Sequence, residues 1–430
     1  MTRLLLILNL ATVLALAACD DDPKSNNHVN NVNNVNNTNN VNNTNNVTWD
    51  AERWARARLA GEVTTAEAFS AIDRLTGFPV ETASGTFIFL HWYDQGEWSV
   101  AGDFTEWNPV GMARDGDLVW LELPIAPPAG QKYKFVRADE WAPDPWARSY
   151  AYDVFGEISY VRPPTANWRL DRYHGLVGEG LDERLLRVYV PGGAGPWPVL
   201  YLHDGQNLFD PDSMWGGWRL QDVMADNGYA ALLVGIDNSD DRMTEYTHVD
   251  DRIDGTTFVA QGDAYARLVE LHVRPLIEAR YPHNGLRGVM GSSLGGLISL
   301  YIAHLYPEVY HFAGSLSGTL GWGKFGLDNP LMRELYEGAG LRDFAVYVDS
   351  GGGPPVTGCE DANGFVIAEG SDNYCQSVAF YDALLGLGYT ADTDVFYHWV
   401  EGAPHNEAAW NNRVHLPIGI FLSLPVPSGP

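Results

Sequence analysis

Between Gly85 and Arg162 apolar and polar positions alternate and turn residues recur, whereas beyond Arg184 short apolar runs take turns with stretches whose apolar residues fall three and four apart. The first pattern predicts β-structure, with strands at Thr86–Leu90, Trp98–Gly102, Leu118–Leu123 and Tyr133–Val136 forming a small β-sandwich. The second predicts an α/β sheet flanked by helices, with strands at Leu185–Val190, Pro198–Leu202, Tyr229–Ile236, Leu286–Met290, Phe312–Ser317, Phe344–Val348 and Asp394–Val400. A long amphipathic helix is expected over Asp263–Arg280. Upstream, Trp49–Leu75 reads as two short helices broken near Gly61, anchored by Trp54, Leu59, Phe69, Ile72 and Leu75.

One junction in this pattern carries chemistry. Gly291-Ser292-Ser293-Leu294-Gly295 fits G-x-S-x-G, a sharp strand-to-helix turn that exposes a serine hydroxyl. The context fits: Leu286–Met290 reads as a buried strand, and Leu294, Leu297, Ile298 and Tyr301 keep helical spacing until Pro307. Ser293 is therefore the candidate nucleophile, and it needs a base oriented by an acid, in the chain order serine, acid, histidine.

His405 meets the requirement for the base, since it follows a Gly/Pro turn after the last strand; His398 lies inside that strand and His415 too far beyond it. The acid belongs between Val348 and the helix carrying Val378, Phe380 and Leu384, an interval that holds Asp349, Glu360, Asp361, Glu369 and Asp372. Asp372 is preferred, because a bridge between Cys359 and Cys375 would draw it back to the strand end; Asp349 is the alternative. For the oxyanion hole, backbone N–H groups of Leu294 and of Gln206 in the His203–Phe209 loop are the candidates, with His203 and Asp204 as loop organisers.

Composition adds an address. Arg3, the apolar Leu4–Leu16 and the small residues after it form an export signal, and Leu16-Ala17-Ala18-Cys19 resembles a bacterial lipobox in which Cys19 is lipidated. An ordinary signal peptide cut near Ala18 is the alternative. Only Cys359 and Cys375 then remain, an even pair in an exported chain and hence an expected disulfide. Ser25–Thr48 is an Asn-rich repeat unable to bury a core, read as a flexible tether. A formal net charge of -28 disfavours nucleic acid as a partner and leaves the lipid as the expected membrane anchor. The expected organisation is a signal peptide with its lipobox (1–19), linker (20–48), short helical segment (49–82), sandwich (83–165, ending at Pro163-Pro164) and α/β-hydrolase domain (166–430).

Two resemblances extend this reading. Val100–Pro109, Tyr133–Val136 and Glu140–Pro145 are similar to the glycogen-binding type of carbohydrate-binding module, an immunoglobulin-like fold, which implies sugar contacts from Trp107, Trp141 and Lys134. His203–Asn207, Arg242–Tyr246, Gly291–Gly296 and Pro404–Trp410 resemble an esterase family of α/β-hydrolases that includes esterase D-like, feruloyl, acetyl-xylan and enterochelin esterases. That resemblance covers Asp171–Leu424, with one departure: a cysteine-bracketed insertion precedes the acid. It implies a serine esterase needing no metal or organic cofactor; the export signal and the sandwich domain together favour carbohydrate-linked esters, feruloyl or acetyl, as its substrates. A siderophore lactone is the alternative substrate, and a catalytically silent glycan-binding lipoprotein the alternative of another class.

Overall fold

The computed structural model describes residues 48–360, 366 and 370–427, and Trp49 onward forms one compact unit. The signal peptide, Cys19 and all of the Asn-rich tract but Thr48 lie outside the described residues, as do Asp361 and Glu369. Among the described residues no helix is long and apolar enough to cross a membrane.

The strands run β1 (Val80–Glu81), β2 (Thr86–Trp92), β3 (Trp98–Gly102), β4 (Val110–Gly111), β5 (Ala113–Asp115), β6 (Leu118–Pro124), β7 (Lys132–Arg137), β8 (Glu140–Ala142), β9 (Ser149–Asp153) and β10 (Gly156–Tyr160). They continue with β11 (Arg169–Gly178), β12 (Leu181–Val190), β13 (Trp197–His203), β14 (Leu232–Ile236), β15 (Asp251–Ile253), β16 (Thr256–Phe258), β17 (His283–Ser292), β18 (Phe312–Leu316), β19 (Ala345–Ser350) and β20 (Val395–Trp399).

In the N-terminal part the β1-β2-β6-β5 sheet is buried on both faces. Phe87 and Phe89 of β2 join Trp98, Val100, Tyr133 and Phe135 in the core shared with β3 and β7. Ile88 and Leu90, one residue out of phase, meet Phe69 and Ile72 from the second of two N-terminal helices, Ala51–Leu59 and Thr65–Leu75. Both helices begin at side-chain caps, Asp50 and Thr64.

The second part is an α/β-hydrolase sheet. Strands β20-β19-β18-β17-β13-β14 are parallel neighbours, and β12 and β11 continue the sheet antiparallel. The sheet does not stop at Pro163-Pro164: β11 pairs with β9, Leu170 against Tyr150, and hydrogen bonding runs on through β10, β7, β3 and β4. The expected helix over Asp263–Arg280 is interrupted by a π-helical segment, Val269–Val273. Pro275 supplies the reason, since it has no N–H to give and its ring crowds the preceding turn. Parallel strands place all their carboxyl ends at one rim, and the candidate chemistry gathers there.

Candidate active site

At the end of β17 the chain turns through Ser293 at φ 56° and ψ -124°, a left-handed backbone that a serine adopts only under constraint. The flanking glycines make the turn possible. A Cβ on Gly291 would lie 2.7 Å from the Gly295 carbonyl, and one on Gly296 would lie 2.5 Å from Ser315 Oγ. Ser293 N–H donates to the Leu316 carbonyl at 2.9 Å, tying the turn to the end of β18, and its hydroxyl lies 3.3 Å from Thr319 Oγ1. The helix Leu294–Leu305 begins at the next residue, so the Leu294 N–H has no intrahelical acceptor.

His405 reaches the same rim from the loop after β20. Its Nδ1 is hydrogen-bonded to Asp372 Oδ1. The other oxygen of Asp372 accepts from Ser317 Oγ at 2.7 Å and from Gly351 N–H. Trp410 stands edge-on to the imidazole at 4.9 Å, and its indole N–H donates to Ser317 Oγ. Asn406 caps the short helix Glu407–Asn411 through Ala409 N–H, which fixes the backbone just after His405.

The insertion that separates Asp372 from β19 folds back on the strand end. Ser371 N–H donates to the Gly353 carbonyl at 3.0 Å, and the Asn373 side chain donates to the Ser317 carbonyl at 2.8 Å. Asp372 and Asn373 both hold left-handed backbone, φ 55° and 57°. The expected disulfide is present: Cys359 and Cys375 are joined, the latter in the first turn of the helix Tyr374–Leu387.

Asp349, the alternative acid, is engaged by other partners and has no contact with His405 among its hydrogen bonds. Its fully buried carboxylate accepts from Arg413 Nε at 2.8 Å and Nη2 at 3.1 Å, from Ser317 N–H at 2.8 Å and from Tyr347 OH at 3.1 Å. Burial pushes its pKa up, against the pull of Arg413. The carboxylate is committed to an internal ion pair.

On the other side of Ser293, β13 ends in His203, Asp204 and the tight turn Gly205–Asn207, which carries Gln206. A Cβ on Gly205 would lie 2.5 Å from Asp237 Oδ1, so only glycine lets the turn approach β14. Gln206 Oε1 accepts from Asn238 N–H at 3.1 Å. Asp204 takes Arg242 Nε at 2.6 Å and Nη2 at 2.9 Å, and Asn238 Nδ2 at 2.6 Å. Burial opposes its ionisation, yet Arg242 and Asn238 outweigh burial and hold its pKa below the usual range. His203 is bonded through Nδ1 to Tyr265 OH at 2.8 Å, and burial pushes its pKa down to about 3, so it is a neutral strut.

The family model described as "Putative esterase" matches residues 182–415, more than half of the chain. The chain belongs to this esterase family. Over an alignment of 155 residues the chain is 31% identical to the uncharacterized protein YbbA of Bacillus subtilis (strain 168), covering 32% of this chain and 57% of that relative. The chain thus spans little more than half the length of the curated relative it matches. Among solved structures it is similar to the enterochelin esterase of Shigella flexneri, with 15% identity, TM-score 0.45, and 79% of this chain and 92% of that one covered. A ferulic acid esterase gives 14% identity, TM-score 0.40, and coverage of 59% and 98%.

Three residues of this family member were not singled out individually by sequence reasoning. Ser317 and Arg413 assemble the acid side, and nothing local in the sequence marks either. Glu407, within the Pro404–Trp410 motif, is 8% exposed and accepts from Asn207 Nδ2 at 3.4 Å. Burial, reinforced by Asp204, raises its pKa to about 6.

In the N-terminal part, Trp107 and Trp141 lie with ring centroids 6.2 Å apart, and Trp141 is 45% exposed. Lys134 does not join them as a free cation: it is buried, and its Nζ donates to the Phe155 carbonyl at 2.8 Å. Its place in the middle of β7, beneath the β9–β10 hairpin tip, is the reason. Among the described residues no cluster of His, Cys, Asp and Glu could hold a metal ion.

Proposed function

We propose that this chain is a serine carboxylic-ester hydrolase working through an acyl-enzyme on carbohydrate-linked esters such as acetyl or feruloyl groups. The observation that carries the reading is the pairing of a strained serine turn with an imidazole held by a buried carboxylate at the same rim of one sheet. An ionised Asp372 only accepts, so Nδ1 of His405 keeps the proton and Nε2 is left as the base.

Ser293 Oγ attacks the ester carbonyl carbon and passes its proton to His405 Nε2. Negative charge on the carbonyl oxygen is met by the N–H groups of Leu294 and Gln206. The C–O bond breaks as His405 returns the proton to the departing alcohol. Water then attacks the acyl-enzyme, giving its proton to His405; as the intermediate collapses, the acid leaves and Ser293 recovers its hydroxyl.

The carbohydrate part of the reading is supported by Trp107 and Trp141 as a sugar platform, with Lys134 recast as a fastener of the hairpin beside them. Export and lipidation at Cys19 would hold the enzyme at a bacterial membrane. A siderophore lactone is the second substrate reading, since the family that the His203–Asn207 and Pro404–Trp410 motifs resemble includes enterochelin esterases as well as feruloyl and acetyl-xylan esterases.

A screen of methyl ferulate, acetylated xylan and a catecholate trilactone distinguishes the substrates. Hydrolysis of p-nitrophenyl acetate by the native chain and by Ser293→Ala tests the chemistry. Equal rates would leave a silent glycan-binding protein instead.

A further inference from the structure

The turn that follows the oxyanion loop holds large apolar side chains in water. Met214 and Trp215 are 38% and 55% exposed, adjacent in the short turn Met214–Gly216. Trp215 holds φ 54°, and Gly216 and Gly217 follow at 83° and 64°. A left-handed backbone at a bulky aromatic is strained, and an exposed indole recovers little of that cost by packing.

The turn is nonetheless firmly placed. Trp218 N–H donates to the Asn207 carbonyl at 2.8 Å, and a Cβ on Gly217 would lie 3.0 Å from that same oxygen. One side of the turn is therefore pinned to the residue after Gln206. Its other side packs on the helix Glu407–Asn411, which opens two residues after His405. Asn411 Nδ2 donates to the Trp218 carbonyl, and Trp218 lies 6.2 Å from Trp410, the ring that stands edge-on to His405.

The turn thus borders the imidazole side of the site. In acyl transfer the alcohol departs on the side of the base, because the base is what protonates it. We propose that Trp215 is the stacking platform for a pyranose ring in the leaving alcohol, with Asp210 and Asp212 of the same loop accepting from its hydroxyls. This rests on the serine-esterase reading with its carbohydrate-linked substrate, and assigns the residue that holds the leaving sugar.

The chemistry of the loop favours a sugar over other alcohols. A pyranose offers an apolar C–H face to an indole and a ring of hydroxyl donors to carboxylates. Asp212 is exposed and Asp210 half-buried beside the turn, so an anionic alcohol would be repelled. Asp210 Oδ1 takes the Asp212 N–H at 2.8 Å, which leaves its other oxygen and the Asp212 carboxylate as acceptors that a sugar's hydroxyls can use and an apolar alcohol cannot.

The test compares two esters of one acyl group, ethyl acetate and 6-O-acetyl methyl glucoside, on the full chain, on Trp215→Ala and on Trp215→Phe. The native chain should favour the sugar ester by about tenfold or more in kcat/KM, a size in keeping with one aromatic stacking contact. Trp215→Ala should lose that preference through KM, with ethyl acetate within about twofold of native, and Trp215→Phe should keep most of it. Absence of a sugar preference in the native chain overturns the proposal without any variant. An equal loss on both esters in Trp215→Ala and Trp215→Phe makes Trp215 structural and overturns it too. Failure of the underlying reading shows differently: the native chain would then turn over neither ester faster than Ser293→Ala.

Discussion

Asp372 holds the Nδ1 of His405, while Asp349, at the end of the neighbouring strand, is locked onto Arg413. The two carboxylates are 3.8 Å or less from the same guanidinium, yet only one faces the imidazole. Their replacements should therefore fail in different ways. Asp372→Asn should lower kcat by about 10³–10⁴-fold, with the melting temperature little changed, because an amide in that place favours the wrong imidazole tautomer. Asp349→Asn should instead cost about 3–5 kcal/mol in chemical denaturation, because buried Arg413 loses the carboxylate that its Nε and Nη2 donate to and keeps only Asp372 at 3.8 Å, with kcat per folded molecule largely kept. The opposite assignment of effects would reverse the roles given to the two acids.

The disulfide should matter to rate as well as stability. Cys375 lies three residues from Asp372, and the bridge spans a sequence separation of 16. Closing a loop of that size is worth about 3 kcal/mol in the chain-entropy account. The paired variant Cys359→Ser/Cys375→Ser should lose about that much stability and also turn over more slowly, since the residues holding Asp372 in left-handed backbone are freed. An unchanged kcat at a lowered melting temperature would show that the Ser317, Gly351 and Asn373 contacts position the acid without help.

Glu407 gives a pH dependence with a definite sign. Its pKa rises from 4.5 to about 6 on folding, so the folded chain holds the proton more tightly than the unfolded one. The stability this contributes is fully present below about pH 4.5 and is lost as pH rises through about 6. Relative to the native chain, Glu407→Gln should be more stable at pH 8 than at pH 4 by about 2 kcal/mol, following 1.36 kcal/mol per pH unit. Denaturant titrations at both pH values check this, and a difference independent of pH would contradict it.

What was legible in the sequence was whatever the chain specifies locally. Gly291 and Gly296 mark a turn with no room for a Cβ, and His405 follows a Gly/Pro turn after a plain apolar strand, so the candidate serine and base stand out locally. The acid could not be fixed in the same way. Choosing Asp372 over Asp349 depends on Arg413, which lies 64 residues beyond Asp349 and has no local signature. The surroundings of Lys134 were hidden for a similar reason: its partner is a backbone carbonyl at the tip of a distant hairpin. Pro163-Pro164 reads as a boundary, but the pairing of β9 with β11 is a matter of strand register that prolines in the connection leave untouched.

An activated nucleophile at Ser293 is the condition for everything the site would do, and a fluorophosphonate probe followed by peptide mass spectrometry examines it directly. One adduct on Ser293 is predicted for the native chain, with labelling greatly slowed in His405→Ala. A native chain that stays unlabelled, or that carries its adduct on another residue, would contradict it.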